Sequence, residues 1–269
     1  MRDEFPTQVA VMGGGVMGEA LISALISSGV APASIAVSEK RDDRALYLQE
    51  KYGIKALSLI ENAKSSQAIL LVVKPQDMSE LLGTIGPHIS RDALLITFAA
   101  GKSIAFIAEH VGLTVPIVRV MPNTPALVGE GMAAVSVGAH VSATQKGFVL
   151  DFLSATGQVV EIDESLQDAV TAVSGSGPAY FFAFVEAMAS AGEELGLSQE
   201  ISMQLSVQTF IGAAKLLAHS GKSATTLREN VTSPKGTTAA ALQSFSDADL
   251  SKIVARAMRA ARDRSQELA

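Results

Sequence analysis

The chain has 269 residues, 48% of them hydrophobic, which suits one large domain or two modest ones with a substantial core. Its formal net charge is −6, so a nucleic acid is not an expected partner, although a small anionic ligand is compatible. The chain has no cysteine, which excludes disulfides and zinc–thiolate sites and fits the reducing cytoplasm where we expect it to act. Its apolar runs are too short for a membrane span, and no metal site is predicted.

A glycine-rich turn near the start of the chain organises the rest. The apolar run Val9–Met12 predicts a buried strand, and an apolar helix-forming run follows from Glu19 to Ile26. Between them, glycines stand at the G-x-G-x-x-G spacing of a dinucleotide site. There the turn and the helix amino terminus face a pyrophosphate. We therefore assign the following residues to cofactor binding: Gly13, Gly15, Val16, Met17 and Gly18.

The next strand, Ser34 to Ser38, leads to the predicted adenosine end of the site. Glu39 lies 21 residues beyond Gly18, near the spacing of an acid that binds the ribose 2′-hydroxyl and favours NAD. Lys40 and Arg41 are alternative partners for a 2′-phosphate, which would favour NADP, or they are only the solvated start of a helix. Ser38 suits either cofactor as a hydroxyl partner.

Strands and helices then alternate to about Ile162. Helices are predicted over Asp42–Lys51, Asp77–Ile85, Ser103–His110 and Thr144–Ala155, and strands over Ala68–Val73, Ala93–Phe98, Val115–Val120, Met132–Val137 and Gln158–Ile162. This α/β pattern predicts a Rossmann-type doubly wound parallel sheet, with an antiparallel edge as one option. Ligands bind beyond the carboxyl ends of such strands, in loops that here include Lys74–Gln76, Ala99–Gly101 and the segment around Asn123.

The pattern changes at Asp163, after which only helices are predicted. We expect a dinucleotide-binding domain over residues 1–163 and an all-helical domain for dimerisation and substrate binding over residues 164–269. A break is predicted at Ser174–Pro178, with Ser176 as the cap of a helix that ends at Gly196. Ser198 is predicted to cap a helix through Ala218, and Asp247 to cap a final helix through Arg262. Two shorter helices are predicted between them, over Ala224–Asn230 and Thr237–Ser244.

The helix after Pro178 is apolar nearly all round, from Ala179 to Ala189. Such a helix is usually buried on all sides. About a hundred helical residues cannot easily bury it together with the helix from Ile201 to Ala218, so we expect a second subunit to cover both. The alternative is burial against the first domain of the same chain.

One polar segment of the second half, Glu229 to Thr238, points to a ligand. Pro234 and Gly236 interrupt any helix, and hydroxyl side chains surround this break. The turn leads into a helix at about Thr238, so it offers free backbone N–H groups to a carboxylate. The alternative is an ordinary capping loop.

Taken together, these residues resemble the pyrroline-5-carboxylate reductase family over nearly the whole chain. The resemblance lies in five segments, which are Val11–Gly18, Val72–Gln76, Arg119–Pro125, Ala172–Tyr180 and Asn230–Thr238. The last is close to the family's V-T-S-P-G-G-T-T motif, except that Lys235 stands where the family usually has glycine. Lysine there either forces a different turn or adds a cation near the carboxylate.

The resemblance implies a Rossmann domain joined to a helical dimerisation domain, a homodimer that in some members forms a ring of dimers, and NADPH, with NADH as the other possibility. It places the nicotinamide near Val73, Lys74, Pro75 and the loop Ala99, Ala100 and Gly101, with Asn123 and Asn230 also reaching the cofactor. It places the substrate carboxylate across a subunit boundary on the turn formed by Ser233, Lys235, Gly236, Thr237 and Thr238. Thr238 matches the family hydroxyl near the ring nitrogen and is the predicted catalytic residue.

The implied reaction is hydride transfer from NAD(P)H to the C=N bond of 1-pyrroline-5-carboxylate, which gives L-proline in the last step of proline biosynthesis. A protonated cyclic imine is already an electrophile, which agrees with the lack of a histidine in any candidate loop. Two alternatives stay open. One is another reductase with Rossmann and helical halves, such as a β-hydroxyacid dehydrogenase or an imine reductase, and the other is a non-enzymatic NADP-sensing protein.

Overall fold

The computed structural model describes residues 5–268. This part of the chain contains eight strands, which are β1 (Val9–Met12), β2 (Ile35–Ser38), β3 (Lys55–Ala56), β4 (Ala68–Leu71), β5 (Leu94–Thr97), β6 (Ile117–Met121), β7 (Gly131–Val137) and β8 (Gly157–Glu161). The helices of its first half are α1 (Val16–Ser27), α2 (Asp42–Tyr52), α3 (Leu59–Ser65), α4 (Met78–Ile85), α5 (Ile104–Val111) and α6 (Ala143–Ser154).

All eight strands form one sheet in the order β3-β2-β1-β4-β5-β6-β7-β8. Strands β1 to β6 all run parallel to one another, β7 runs antiparallel to β6, and β8 is parallel to β7. The doubly wound sheet and its antiparallel edge are therefore confirmed. Because β1 lies between β2 and β4, the chain reverses its winding direction at β1, and such a switch point is where ligands bind.

The central strands β1 and β4 are entirely apolar and buried because the sheet is covered on both faces. Val9 and Val11 contribute to a core cluster that also contains side chains of α1, α2 and α6. Ala10 and Met12 contribute to a second cluster, with side chains of α3, α4 and α5. Alternate residues of β1 thus point into two separate cores, and none can be polar.

Two elements near β2 were not predicted. The two-residue strand β3 and the seven-residue helix α3 lie between α2 and β4. Helix α3 begins with a capping box, in which the Ser58 hydroxyl accepts from the backbone N–H of Glu61 and the Glu61 side chain accepts from the N–H of Ser58. This added segment forms one wall of the candidate site described below.

By packing within the chain, the described residues form two compact units. The first contains the residues up to Ser176 and those from Ala261 onward, and the second runs from Gly177 to Ala260. The later helices are α7 (Gln167–Val170), α8 (Gly177–Glu194), α9 (Gln199–His219), α10 (Ala224–Asn230), α11 (Thr237–Asp247) and α12 (Leu250–Glu267). The domain division at residues 163 and 164 stays a prediction.

Two predicted helix caps are wrong. Ser176 has helical backbone angles and follows a π-helical turn over Thr171–Gly175, so this segment continues a helical path where a break was predicted. Asp247 is the last residue of α11, and α12 begins only at Leu250. By contrast, Ser198 caps α9 through its hydroxyl, and Gly196 ends the preceding segment with a φ of +98°. No helix in residues 5–268 is both long and apolar enough to cross a membrane.

Candidate active site

The glycine turn between β1 and α1 has a shape that side chains would destroy. Gly13 has a φ of +111°, and a Cβ atom there would lie 2.6 Å from the carbonyl oxygen of Val72. A Cβ atom on Gly18 would collide with the carbonyl oxygen of Gly13, whereas one on Gly15 would meet no protein atom within 4 Å. Gly13 is therefore required by its backbone angle and by packing, and Gly18 by packing alone. Gly15 instead leaves an open backbone surface of the kind that a pyrophosphate approaches.

The amino terminus of α1 is open to an anion. Gly15 occupies the position before the helix, and no side chain caps it. Five other helices are each capped by a serine hydroxyl, from Ser58, Ser103, Ser142, Ser198 and Ser223. The first N–H groups of α1, those of Val16, Met17 and Gly18, thus lack a partner from the helix or from a cap. Together with the helix dipole they suit the binding of a phosphate.

A cavity of about 490 Å³ lies at the carboxyl ends of β1, β2 and β4. Its lining includes seven residues that the sequence assigns to the cofactor, which are Gly13, Gly15, Ser38, Glu39, Lys40, Val73 and Lys74. The opposite wall was not predicted and comes from the segment before α3 and from around α4, with Leu57, Ser58, Leu59, Asp77, Glu80, Leu81 and Thr84. The chain thus has a mostly apolar cleft beside the uncapped amino terminus of α1, and this combination fits a dinucleotide.

Side chains at the end of β2 are fixed by hydrogen bonds. The hydroxyl of Ser38 donates to the Leu57 carbonyl at 3.0 Å and accepts from Nδ2 of Asn62 at 3.0 Å, so its proton is already engaged. The Glu39 carboxylate accepts from the backbone N–H of Gly14 at 2.7 Å and from that of Arg41 at 3.1 Å. Arg41 does not line the cavity, and its guanidinium lies 3.5 Å from the Asp43 carboxylate.

Arg44 on α2 stabilises the glycine turn through hydrogen bonds to its carbonyl groups, and sequence reasoning missed this residue. Its Nε donates to the Gly14 carbonyl at 2.7 Å, and its Nη2 reaches the Gly15 carbonyl at 3.4 Å and the Glu19 carboxylate. Burial alone would raise the pKa of Glu19, but hydrogen bonds from Lys51, Arg44 and Tyr52 lower the pKa to about 2. The bond to Glu19 raises the pKa of Lys51. An ionised cluster therefore joins α1, α2 and the turn.

The remaining residues assigned to the cofactor do not line this cavity; they are Val16, Met17, Gly18, Pro75, Ala99, Ala100, Gly101, Asn123 and Asn230. Ala99 and Gly101 are buried, and a Cβ atom on Gly101 would lie 2.7 Å from the carbonyl oxygen of Ser265. Packing of the carboxyl end of α12 thus explains this glycine. The Asn123 side chain accepts from the N–H of Met132 at 2.9 Å and so stabilises the connection between β6 and β7.

The second unit holds the hydroxyl-rich segment as a tight turn. The N–H of Gly236 donates to the Ser233 carbonyl at 3.0 Å, Pro234 takes the second position, and Lys235 takes the third with a φ of +60°. Proline second and a positive φ third define a type II turn, whose third position favours glycine. The structure thus gives a reason for the family's glycine, and Lys235 adopts the positive φ that this position requires.

Helix α11 begins directly after this turn, with Gly236 before it and no side-chain cap. It therefore repeats the arrangement at α1, with glycine in the position that serine occupies before five other helices; α2, α4 and α7 also lack a side-chain cap, but no glycine precedes them. The N–H groups of Thr237, Thr238 and Ala239 are the first of the helix and have no partner within it. They suit a carboxylate. Asn230 is the last residue of α10, six positions before Gly236.

Comparisons with known proteins agree with both halves of this description. The family model for pyrroline-5-carboxylate reductase dimerisation matches residues 164–268, and the model for NADP oxidoreductases, coenzyme F420-dependent, matches residues 8–101. The pyrroline-5-carboxylate reductase of Corynebacterium melassecola is 42% identical over 269 residues, covering 97% of this chain and 98% of the relative.

Solved structures give the same result. The pyrroline-5-carboxylate reductase of Coxiella burnetii superposes with a TM-score of 0.89 at 32% identity, over 98% of both chains. The Plasmodium falciparum pyrroline carboxylate reductase, solved with NADP bound, has a TM-score of 0.87 at 32% identity, again over 98% of both chains.

These matches support an oxidoreductase that uses NAD(P)H, in keeping with the open backbone surface at Gly15. They give no support to a β-hydroxyacid dehydrogenase, an imine reductase or an NADP sensor. The chain belongs to the pyrroline-5-carboxylate reductase family.

Proposed function

We propose that this chain reduces 1-pyrroline-5-carboxylate to L-proline, with the nucleotide on the glycine turn and the substrate carboxylate on the first N–H groups of α11. The single observation that carries the substrate assignment is the uncapped start of α11. A chain that caps five helices with serine places glycine there, after a type II turn held by a non-glycine residue. Such strained positions persist at functional sites.

The chemistry needs positioning more than it needs an acid or a base. The substrate imine is basic enough to take its proton from water, and once protonated it is electrophilic at the ring carbon. Bound NAD(P)H supplies the hydride. The chain's own groups have three tasks: amides of α11 hold the carboxylate, the hydroxyl of Thr238 orients the ring nitrogen, and the cleft walls around Val73 exclude water.

The histidines agree with this mechanism. His110 and His219 each use Nδ1 to contact the carbonyl four residues earlier on their own helices, at 2.9 Å from Phe106 and 2.7 Å from Lys215. His88 ends a short 3₁₀ turn after α4, and none of the three lines the cavity. No group of His, Asp and Glu side chains among residues 5–268 could hold a metal ion.

Substitution of Thr238 tests the assignment. We expect Thr238→Ala to lower kcat/KM for pyrroline-5-carboxylate roughly tenfold to a thousandfold, because one positioned hydrogen bond is lost. Thr225→Ala is the matched control, since Thr225 is an exposed threonine on the neighbouring helix α10. Steady-state nucleotide oxidation measures both variants. Wild-type kinetics for Thr238→Ala would remove this hydroxyl from the mechanism.

The assembly is part of the same proposal. The chain carries the family's dimerisation domain, and large apolar side chains of α8 and α9 are exposed, among them Phe182 and Leu205. These faces support a homodimer in which one subunit covers the helices of the other. The proposal also includes a ring of dimers and a place at the end of proline biosynthesis, which the resemblance supports, and a location in the cytoplasm, with which the cysteine-free composition is compatible.

A further inference from the structure

We propose that Glu39 makes this chain select NADH over NADPH. The inference rests on the proposed use of the glycine turn as the nucleotide site, and it goes beyond it by assigning the preference between the two cofactors. Glu39 follows β2 directly and lines the cavity beside Gly13 and Gly15. In a doubly wound sheet this is where the adenosine ribose of a dinucleotide lies, so whatever occupies its 2′ position faces Glu39.

The carboxylate is held in place and cannot turn away from a ligand without losing two hydrogen bonds. Oε2 accepts from the N–H of Gly14 at 2.7 Å, and Oε1 accepts from the N–H of Arg41 at 3.1 Å. Gly14 belongs to the phosphate turn itself, so the negative charge of Glu39 is tied to the cofactor site. A carboxylate has about four acceptor positions, and the two left over suit the hydroxyl donors of an unmodified ribose.

A 2′-phosphate would be repelled by the Glu39 carboxylate, whereas a 2′-hydroxyl would donate a hydrogen bond to it. It brings negative charge and acceptor oxygens toward a fixed carboxylate, and both groups then lack a donor between them. The hydroxyl of Ser38 cannot serve, because it already donates to the Leu57 carbonyl. Substitution of hydroxyl by phosphate therefore replaces hydrogen bonds with repulsion.

The nearby cations do not offset this repulsion. Arg44 is engaged by the carbonyls of Gly14 and Gly15 and by Glu19. Arg41 lies outside the cavity, and its side chain is 66% exposed and paired with Asp43. Lys40 and Lys74 line the cavity but are exposed, so water and salt screen their charges. Among the described residues that line the cavity, the fixed anion thus faces only exposed and screened cations.

Calorimetric titration of the full-length protein with NADH and with NADPH, in the absence of substrate, tests this. We expect the wild-type protein to bind NADH at least about tenfold more tightly than NADPH. Glu39→Gln keeps an acceptor for the Gly14 N–H but removes the charge, so we expect NADPH binding to tighten about tenfold while NADH binding changes less than about threefold. Glu50→Gln, which removes an equal charge at an exposed residue of α2 outside the cavity, should leave the ratio unchanged.

Equal or tighter binding of NADPH by the wild-type protein would overturn the proposal, as would an unchanged ratio in Glu39→Gln. Failure of the wild-type protein to bind either nucleotide would overturn it together with the nucleotide site. Selective binding of NADH without turnover of pyrroline-5-carboxylate would leave this inference standing and overturn the proposed function, so the two failures are distinguishable.

Discussion

Lys235 is the residue at which this chain departs from its family's motif, and its backbone shows the consequence. A φ of +60° is costly for a side chain with a Cβ atom. We expect Lys235→Gly to raise the free energy of unfolding by about 0.5–1 kcal/mol, because relief of this strain outweighs the greater freedom of glycine in the unfolded chain. Urea unfolding measures the change, and Lys235→Ala, which keeps the Cβ atom, should give no such gain.

The same pair of variants tests whether Lys235 binds substrate through its charge. The side chain is exposed, and an exposed ammonium is strongly screened. We therefore expect the substrate KM of both variants to stay within about threefold of the wild-type value. A larger rise shared by Lys235→Gly and Lys235→Ala would show that the ammonium contributes to the carboxylate site.

Glu19 makes the stability of the first unit depend on pH. Its pKa falls from 4.5 to about 2 in the folded protein, so the stabilisation is complete above pH 4.5 and is lost as the pH falls toward 2. We expect Glu19→Gln to be less stable than the wild-type protein at neutral pH and to lose less stability over this acidic interval. Urea unfolding at several pH values measures both slopes, and parallel slopes would contradict the assignment.

At the scale of elements, the sequence predicted the strands and helices that have a clear hydrophobic pattern, and it missed elements that are too short to show one. Strands such as β1 and β4 were predicted because burial on both faces makes every position apolar. The strand β3 and helix α3 are too short to show periodicity, although Ser58 and Glu61 carry a capping-box signal. The cavity wall around Leu57 was missed with them.

Contacts between residues that are far apart in the sequence could not be predicted, for a different reason. Arg44 reaches the glycine turn across 30 positions of sequence, and only the packing of α2 against the sheet brings them together. Asp247 fits the local rule for a cap, but α11 continues through it and α12 starts three residues later. Local rules give the residue types at helix ends, whereas tertiary packing decides where each helix stops.

The carboxyl end of α12 is an element whose packing can be tested at one glycine. Gly101 has a φ of +76°, and a Cβ atom there would lie 2.7 Å from the Ser265 carbonyl and 2.8 Å from Cβ of Leu268. We expect Gly101→Ala to lower the free energy of unfolding by about 2–4 kcal/mol. Gly83→Ala is the control: it lies on an exposed face of α4 with open space around it and should be neutral or slightly stabilising.

At the scale of the whole molecule, the exposed apolar faces of α8 and α9 predict a dimer in light scattering at micromolar concentration. The side chains of Phe182 and Leu205 are 57% and 53% exposed in the single chain. We expect Phe182→Glu and Leu205→Glu to lower the measured mass, because a charge cannot be buried unpaired. Leu113→Glu, at a residue 75% exposed after α5, should leave the mass unchanged. A monomeric wild-type protein would contradict the proposed assembly.

The most direct test of the whole account is a turnover measurement with 1-pyrroline-5-carboxylate, run in parallel with NADH and NADPH. The account predicts that the reduced nucleotide is oxidised only when this substrate is added, that L-proline forms in equal amount, and that Thr238→Ala slows both. A protein that binds the nucleotide but neither oxidises it nor forms proline with this substrate would contradict the account.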